Sequence, residues 1–195
     1  MPQLFGSHYT RADLERRVGR FDQIAGIKPV ELVDGRDRGV RSFDVATVSG
    51  FAFTAIADRG LDVAAASYEG IALAWRSRNG IASPAFYEPQ GDEFLRSFFG
   101  GLFTTCGLTN FGPPGSAQWG SFGLHGRIDA TPAEDVVHEV RWDGDECTLE
   151  IRGTVHQTRV FGEDLVLERC LRTVVGGSTK SMTRSRTRVE RAFRT

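Results

Sequence analysis

The chain has 195 residues, 40% of them hydrophobic, which is enough for a single domain with a sizeable core. Its formal net charge is −1, no apolar run approaches the roughly 20 residues that span a bilayer, and the N-terminus lacks a secretory pattern, so we expect a cytoplasmic protein without membrane contact. Three cysteines and four histidines without metal-ligand spacing predict reduced thiols, no metal site and no cofactor.

The first third of the chain predicts one short helix followed by β-strands. Thr10 can cap a helix in which Leu14 and Val18 lie on one face and which ends at Gly19. After Val30 the helical period disappears, and short segments of alternating polarity are separated by glycine or Asp-Gly turns, which is typical of hairpins. The predicted strands are residues 40–48, 51–57, 62–67 and 71–75, with Glu69-Gly70 as the turn between the last two.

Residues 76–131 form a long glycine-rich region, for which we predict at most one short helical turn, near residues 93–98. Dense, irregularly spaced glycines indicate turns and close backbone approaches, and loop regions of this length are more often functional than structural. Gly123 and Gly126 flank His125 and would leave its imidazole sterically open. The region is therefore a candidate small-molecule site. Side chains in it that can contact a polyol are Arg96, Thr104, Thr105, Asn110, Gln118, His125 and Arg127.

The segments after residue 131 predict consecutive hairpins. Every second residue from Val136 to Trp142 falls on one face of a strand, so His138 is expected in a half-buried strand, and Asp143-Gly144 is expected to form a turn. His156 is predicted to face solvent. Hairpins with one apolar face imply an antiparallel sheet whose covered side needs a second layer. The alternating apolar positions are Cys147, Leu149, Ile151, Gly153 and Val155, then Leu165, Leu167 and Leu171.

Eight short motifs, taken together and in order, carry a family resemblance. They are Leu4-Phe5-Gly6, Gln23-Ile24-Ala25-Gly26, Asp58-Arg59-Gly60-Leu61-Asp62-Val63, Ala74-Trp75-Arg76-Ser77, Phe86-Tyr87-Glu88-Pro89, Phe98-Phe99-Gly100-Gly101-Leu102, Thr105-Cys106-Gly107-Leu108-Thr109-Asn110 and Leu124-His125-Gly126-Arg127. Over residues 4–175 the chain resembles bacterial DUF4432-type proteins related to aldose 1-epimerases. The resemblance implies an all-β fold, an antiparallel β-sandwich of galactose mutarotase-like type, incomplete here and with a short N-terminal helix.

The resemblance also implies a sugar ligand and an isomerase reaction. Aldose 1-epimerases interconvert sugar anomers: a base removes the proton of the anomeric hydroxyl while an acid protonates the ring oxygen, and the opened ring closes again. In that fold a histidine in a Leu-His-Gly context binds the sugar, so His125 is the predicted catalytic and substrate-binding residue. A second histidine and a late glutamate carry the proton transfers there. Neither has a matching position, so we expect this chain to be inactive or nearly so.

Four further positions have two interpretations each. Arg127 and Arg96 resemble sugar- or phosphate-binding arginines of hexose-6-phosphate epimerases, and each is otherwise a solvated surface arginine. Asn110 either binds sugar hydroxyls or caps the following turn. Trp75 could stack on a sugar, but its strand alternation favours a core position. The motif Asp58-Arg59-Gly60 is interpreted as a turn with a local ion pair in preference to a ligand contact.

The end of the chain departs from the family pattern. From Lys180 onward there are six basic residues and one acid, whereas the remainder is acidic. One choice of codons for residues 182–189, read in another frame, gives Asp-Glu-Val-Thr-Asn-Glu-Gly, which resembles what the family has there. We therefore expect residues 1–178 to be the N-terminal part of the sandwich domain and residues 179–195 to be an aberrant, frameshifted tail.

Two other functions remain open. A non-catalytic carbohydrate-binding protein would use the same loops, without a carboxylate and a second histidine facing His125. A basic tail acting as a nucleic-acid arm would give steeply salt-dependent binding. We expect a small-molecule sugar as the partner, and neither nucleic acid nor membrane. Unpaired strand edges in an incomplete sandwich also predict self-association.

Overall fold

The structure is a computed structural model that describes residues 3–4, 6–117, 120–176 and 184–191, with the backbone alone for residues 3, 117 and 184–191. Gln118, one of the predicted polyol contacts, lies outside the described residues. The same holds for residues 179–183 and 192–195 of the predicted tail.

A capped helix lies near the N-terminus, as the sequence predicts. It is α1 (Arg11–Glu15), and it follows a small hairpin of β1 (Gln3–Leu4) and β2 (Ser7–His8). The Thr10 hydroxyl accepts from the backbone N–H of Asp13 at 3.1 Å, and the Asp13 carboxylate accepts from the N–H of Thr10 at 3.2 Å. This reciprocal capping box fixes the first turn. The helix ends before the predicted stop at Gly19.

Five antiparallel strands in sequence order form the first sheet. They are β3 (Ala25–Glu31), β4 (Arg41–Thr47), β5 (Phe51–Ile56), β6 (Asp62–Tyr68) and β7 (Ile71–Ala72). The predicted strands at β4, β5 and β6 are confirmed, as is the turn at Glu69-Gly70, where both residues have positive φ. Strand β3 was missed because Gly26, Lys28 and Pro29 interrupt the alternation of polarity. Pro29 is tolerated there because β3 is an edge strand.

The prediction that Trp75 is a core residue is wrong. The predicted strand 71–75 breaks in its middle, and Trp75 lies in a separate strand, β8 (Trp75–Arg76), paired with β9 (Gly100–Gly101). The indole is 65% exposed and packs at 6.1 Å, between ring centroids, against Phe98. The alternation of polar and apolar residues gives a wrong prediction here, because a two-residue strand outside the main sheet has no buried face of its own.

Residues between β8 and the second sheet are mostly loop. The short turn predicted near residues 93–98 is confirmed as a 3-10 helix at Glu93–Arg96. The region also has 3-10 helices at Pro84–Phe86 and Ile128–Ala130, so the prediction of at most one helical turn there is wrong. Further 3-10 helices lie at Phe21–Gln23 and Gly35–Asp37, and a small hairpin consists of β10 (Gly115–Ala117) and β11 (Gly120–Phe122).

Four antiparallel strands form the second sheet. They are β12 (Glu134–Asp143), β13 (Glu146–Thr158), β14 (Asp164–Val174) and β15 (Arg184–Arg191). The first three confirm the predicted hairpins, and Gly144 makes the turn between β12 and β13 with a φ of +56°. The backbone of β15 pairs along β14 from Leu165 to Arg172, so this part of the predicted tail continues the sheet.

The core lies between the two sheets. Every second residue of β13 and β14 is buried, as the alternation predicts, and these side chains pack against the inner face of the first sheet. The first sheet therefore supplies the second layer that an apolar sheet face requires. Residues of this cluster include Phe43, Val45, Phe53 and Ala55 from the first sheet, and Cys147, Leu149, Ile151, Val155, Leu167 and Leu171 from the second.

A buried carboxylate joins both sheets to the glycine-rich loops. Asp62, at the start of β6, is fully buried, and Arg169 of β14 donates to its Oδ1 at 2.5 Å. Thr105 donates its N–H to Asp62 Oδ2 at 2.7 Å, and its hydroxyl to Oδ1. Arg169 also donates to the carbonyl of Gly60 at 2.9 Å. One side chain thus fixes the positions of three separate chain segments.

The turn at Asp58-Arg59-Gly60 is confirmed, but the local ion pair predicted there is wrong. Asp58 pairs instead with Arg41 at 2.6 Å. Arg59 reaches Asp129, 70 residues away, at 2.7 Å, and both side chains are 1% exposed. The turn therefore forms two long-range pairs, one with Arg41 at the start of β4 and one with the 3-10 helix at Ile128–Ala130.

Replacement of Asp62 tests whether its contacts hold these segments. Asp62→Ala leaves the buried Arg169 guanidinium without its carboxylate, so we expect a loss of about 3–5 kcal/mol in the free energy of unfolding. Urea denaturation at neutral pH measures it. The control is Asp143→Ala, an exposed aspartate with no ion pair among the described residues, which should change stability by no more than about 0.5 kcal/mol. Equal effects of the two substitutions would contradict this role.

Candidate functional site

Two loops hold His125 by its backbone and its ring. The His125 carbonyl accepts from the N–H of Gly107 at 3.1 Å, and the His125 N–H donates to the carbonyl of Gly112 at 3.0 Å. The Gly112 N–H in turn donates to Nδ1 of the His125 imidazole at 3.1 Å. These bonds form a clamp, which we define as residues 107–112 against residues 123–126.

The clamp determines which imidazole nitrogen carries the proton. Because Nδ1 accepts a hydrogen bond from a backbone N–H, the neutral ring has its proton on Nε2. Among the described residues, no group accepts a hydrogen bond from Nε2. His125 therefore presents one N–H donor for a ligand, on a ring whose orientation the backbone fixes.

The imidazole is half-buried between two aromatic rings. The prediction that it is sterically open is therefore wrong. Phe94 packs edge-on at 5.2 Å between centroids, and Phe111 is tilted at the same distance. Phe94 is buried, whereas Phe111 is 80% exposed, so the ring lies at the protein surface. The glycines beside His125 serve the backbone geometry, which includes a φ of +59° at His125 itself.

Asn110 braces the clamp from inside. Its amide Nδ2 donates to the carbonyl of Gly123 at 3.0 Å, and its Oδ1 accepts from Thr109 at 3.4 Å. Gly126 passes so close that a Cβ there would lie 2.9 Å from Asn110 Oδ1 and 3.0 Å from Thr109 Oγ1. Of the two interpretations of Asn110, the contacts favour the structural one.

Arg127 and Arg96 both lie near Tyr87, which precedes them in the sequence. The Tyr87 hydroxyl donates to the carbonyl of Gly126 at 3.0 Å, next to His125. The Arg127 guanidinium lies 5.7 Å from the centroid of the Tyr87 ring. Arg96 is exposed, pairs with Glu93 at 2.5 Å, and lines a surface cavity together with Tyr87. Burial raises the pKa of Tyr87, so its hydroxyl remains a donor.

That cavity has a volume of about 450 Å³, within the range of small-molecule sites. It lies beside the 3-10 helices at Pro84–Phe86 and Glu93–Arg96. The polar and aromatic residues that line it are Arg36, Asn79, Phe86, Tyr87, Glu88 and Arg96.

Two buried carboxyl groups, those of Asp62 and Asp129, have structural roles. Burial raises the pKa of Asp62 to about 6, because lost hydration outweighs the opposing effects of Arg169 and Thr105. Burial likewise raises the pKa of Asp129, against the effect of Arg59. Both carboxyl groups are at most 1% exposed and bonded to an arginine. Neither can contact a ligand beside His125.

The structure thus brings together two of the four predicted site residues, His125 and Asn110. Of the other two, Arg127 lies over the Tyr87 ring and Arg96 lines the same cavity as Tyr87. Thr104 and Thr105 are engaged elsewhere, because Thr104 donates to the Gly100 carbonyl and Thr105 binds Asp62. Sequence reasoning missed Tyr87 and Arg36. The motif Phe86-Tyr87-Glu88-Pro89 was the available signal for Tyr87. Arg36 lies in the 3-10 helix at Gly35–Asp37, where no sequence pattern marks it.

His138 and His156 lie away from the clamp. His138 is itself exposed, on a strand whose Val136 and Trp142 are partly buried, and its ring packs against Phe43 of the first sheet at 5.3 Å. His156 is exposed, as predicted. In the described ranges, no three His, Cys, Asp or Glu side chains are grouped so that they could bind a metal ion. None of the helices in those ranges has the length and apolar character needed to cross a bilayer.

A comparison with known protein families shows to which family this chain belongs. The model of a domain of unknown function, DUF4432, matches residues 37–183. The chain belongs to the DUF4432 family. The resemblance expected from its motifs is thereby confirmed. No match is found for this DUF4432 chain among curated proteins.

Two solved structures are similar to this DUF4432 member. One is a "putative aldose 1-epimerase" from Klebsiella pneumoniae subsp. pneumoniae MGH 78578, with a TM-score of 0.70 and 27% identity, covering 77% of this chain and 40% of that chain. The other is a galactose mutarotase-like protein from Clostridium acetobutylicum, with a TM-score of 0.43 and 14% identity, covering 77% and 46%. The chain thus spans about 40% of the Klebsiella protein. The expected all-β, antiparallel fold is confirmed, and it is similar to that of the Klebsiella protein.

A methyl group at Gly126 tests the clamp. Gly126→Ala adds a side chain at a φ of +71° and places its Cβ against Asn110 and Thr109. Gly144→Ala is the matched control, with a φ of +56° and nothing within 4 Å of its Cβ. Backbone strain should cost each variant about 1–2 kcal/mol of unfolding free energy. Crowding should cost Gly126→Ala about 1–3 kcal/mol more. Equal losses in thermal or urea unfolding would refute the close packing.

Proposed function

We propose that the chain is a carbohydrate-binding, aldose 1-epimerase-like protein in which Nε2 of His125 donates a hydrogen bond to the sugar. The observation that carries this proposal is the hydrogen bond from Gly112 to Nδ1, because it leaves Nε2 as the free donor on an oriented ring. A neutral imidazole N–H suits a hydroxyl or a ring oxygen. The exposed ring of Phe111 beside it offers an apolar surface for a sugar face.

Support for the sugar as ligand comes from the Klebsiella protein, which carries the name of an aldose 1-epimerase and shares 27% identity with this chain. Epimerisation at the anomeric carbon would use an acid at the ring oxygen, a role that an Nε2 proton on His125 could fill. It also requires a base at the anomeric hydroxyl.

The buried carboxyl groups of Asp62 and Asp129 are unsuited to act as that base. Asp62 and Asp129 are buried and bonded to arginines, and neither His138 nor His156 contacts the clamp. We therefore propose that this chain binds sugar but interconverts anomers slowly or not at all. The same observation favours the second candidate function, a non-catalytic carbohydrate-binding protein.

Binding measurements with matched histidine variants test this proposal. Titration of the protein with neutral aldohexoses, followed by NMR or calorimetry, should give saturable binding. His125→Ala should weaken it about tenfold or more, because a hydrogen bond to the ligand is lost. His156→Ala, which removes an exposed histidine of β13, should leave the affinity unchanged.

Two outcomes would count against the proposal. Equal affinities of the two variants would exclude His125 as a sugar contact, and polarimetry would separate the two candidate functions. A rate of anomer interconversion well above that of buffer, lost in His125→Ala, would show that the chain is an active epimerase.

A further inference from the structure

The cavity beside Tyr87 contains a guanidinium group that is oriented but largely unused. Nη1 of Arg36 donates to the carbonyl of Arg96 at 3.1 Å, and its Cζ lies 5.3 Å from the centroid of the Phe86 ring. These contacts use one of the five N–H donors of arginine. No carboxylate pairs with Arg36 in the part of the chain that the structure describes. The remaining donors are available to an anion.

A second guanidinium lines the same cavity. Arg96 pairs with Glu93, but its side chain is 73% exposed and that of Glu93 is 32% exposed. Such solvated pairs contribute little to stability, so an incoming anion can compete for Arg96. The amide Nδ2 of Asn79 donates to the carbonyl of Leu95 at 2.6 Å, and this bond fixes the position of the Asn79 side chain on the cavity wall. Glu88 is the one acidic residue on the cavity wall.

The cavity is connected to the His125 clamp through Tyr87. This residue lines the cavity and donates to the carbonyl of Gly126, directly after His125. Arg127, whose guanidinium lies over the Tyr87 ring, adds a third positive charge and has no carboxylate partner among the described residues. A ligand larger than a neutral monosaccharide could therefore contact both His125 and the arginines.

We propose that this cavity binds the negatively charged substituent of an acidic sugar whose ring contacts His125. Guanidinium groups bind oxyanions through paired N–H donors, which is why arginine is the common choice for phosphate, sulfonate and carboxylate groups. This inference rests on the proposed sugar site, and it adds the substrate class: a phosphorylated, sulfonated or uronic acid sugar rather than a neutral one.

The test compares four probes that differ in one substituent: glucose, glucose 6-phosphate, 6-deoxy-6-sulfoglucose and glucuronate. At low ionic strength, at least one acidic sugar should bind about tenfold or more tightly than glucose, since hydrogen bonds to charged groups are the stronger ones. Added salt should weaken that preference. The three acidic probes also distinguish the kinds of anion.

Arginine variants assign the preference to the cavity. Arg36→Gln should bring the affinity for the acidic sugar down to that for glucose, without changing the affinity for glucose. Arg38→Gln is the control, because Arg38 is exposed, two residues away, and outside the cavity wall. Equal affinities for glucose and all acidic sugars, or equal effects of the two variants, would overturn the inference.

The same experiment separates this inference from the proposed function. Loss of glucose binding in His125→Ala without any preference for acidic sugars would refute the cavity assignment alone. Inorganic phosphate binding that depends on Arg36, with no sugar binding at all, would refute the sugar site and with it the assigned substrate class. Binding of no probe by the wild-type protein would overturn both.

Discussion

The Asp62 carboxylate is the contact on which the arrangement of this protein depends. It receives hydrogen bonds from Arg169 of the second sheet and from Thr105 of the glycine-rich region, while it belongs to the first sheet. A buried ion pair is not a large net source of stability, since both charges lose hydration. The ion pair instead fixes the relative positions of these segments, because an arrangement that separated Asp62 from Arg169 would leave a buried charge without a partner.

The site follows from that constraint in two steps. Thr105 is held two residues before Gly107, where the clamp begins, so the loop that receives His125 starts from a fixed point. The second anchor is the pair of Arg59 and Asp129, which fixes the chain directly after Arg127. Between these anchors the backbone N–H of Gly112 orients the His125 ring, and the Asn110 side chain supports the loop.

Regular patterns in the sequence predicted the fold well. The alternation in β13 and β14 and the cap at Thr10 each reflect a local rule, so the corresponding elements could be predicted from neighbouring residues. The long-range pairs could not. Arg59 looked like the partner of adjacent Asp58 because sequence distance is the only distance a sequence contains, and its actual partner is 70 residues away. The prediction for Trp75 was wrong for a similar reason, since its exposure depends on where the chain leaves the first sheet after β7.

Motifs predicted the location of the site but not its geometry. The context of Leu124-His125-Gly126-Arg127 identified His125, yet only the fold shows that Asn110 supports the loop and that Tyr87 connects Arg96 to Arg127. The most direct test of the account is the ¹⁵N NMR spectrum of the His125 ring during titration with a sugar. We predict an unprotonated Nδ1 in the free protein and a shift of the Nε2–H signal on binding. A proton on Nδ1, or a ring whose two nitrogens do not respond to the sugar, would contradict it.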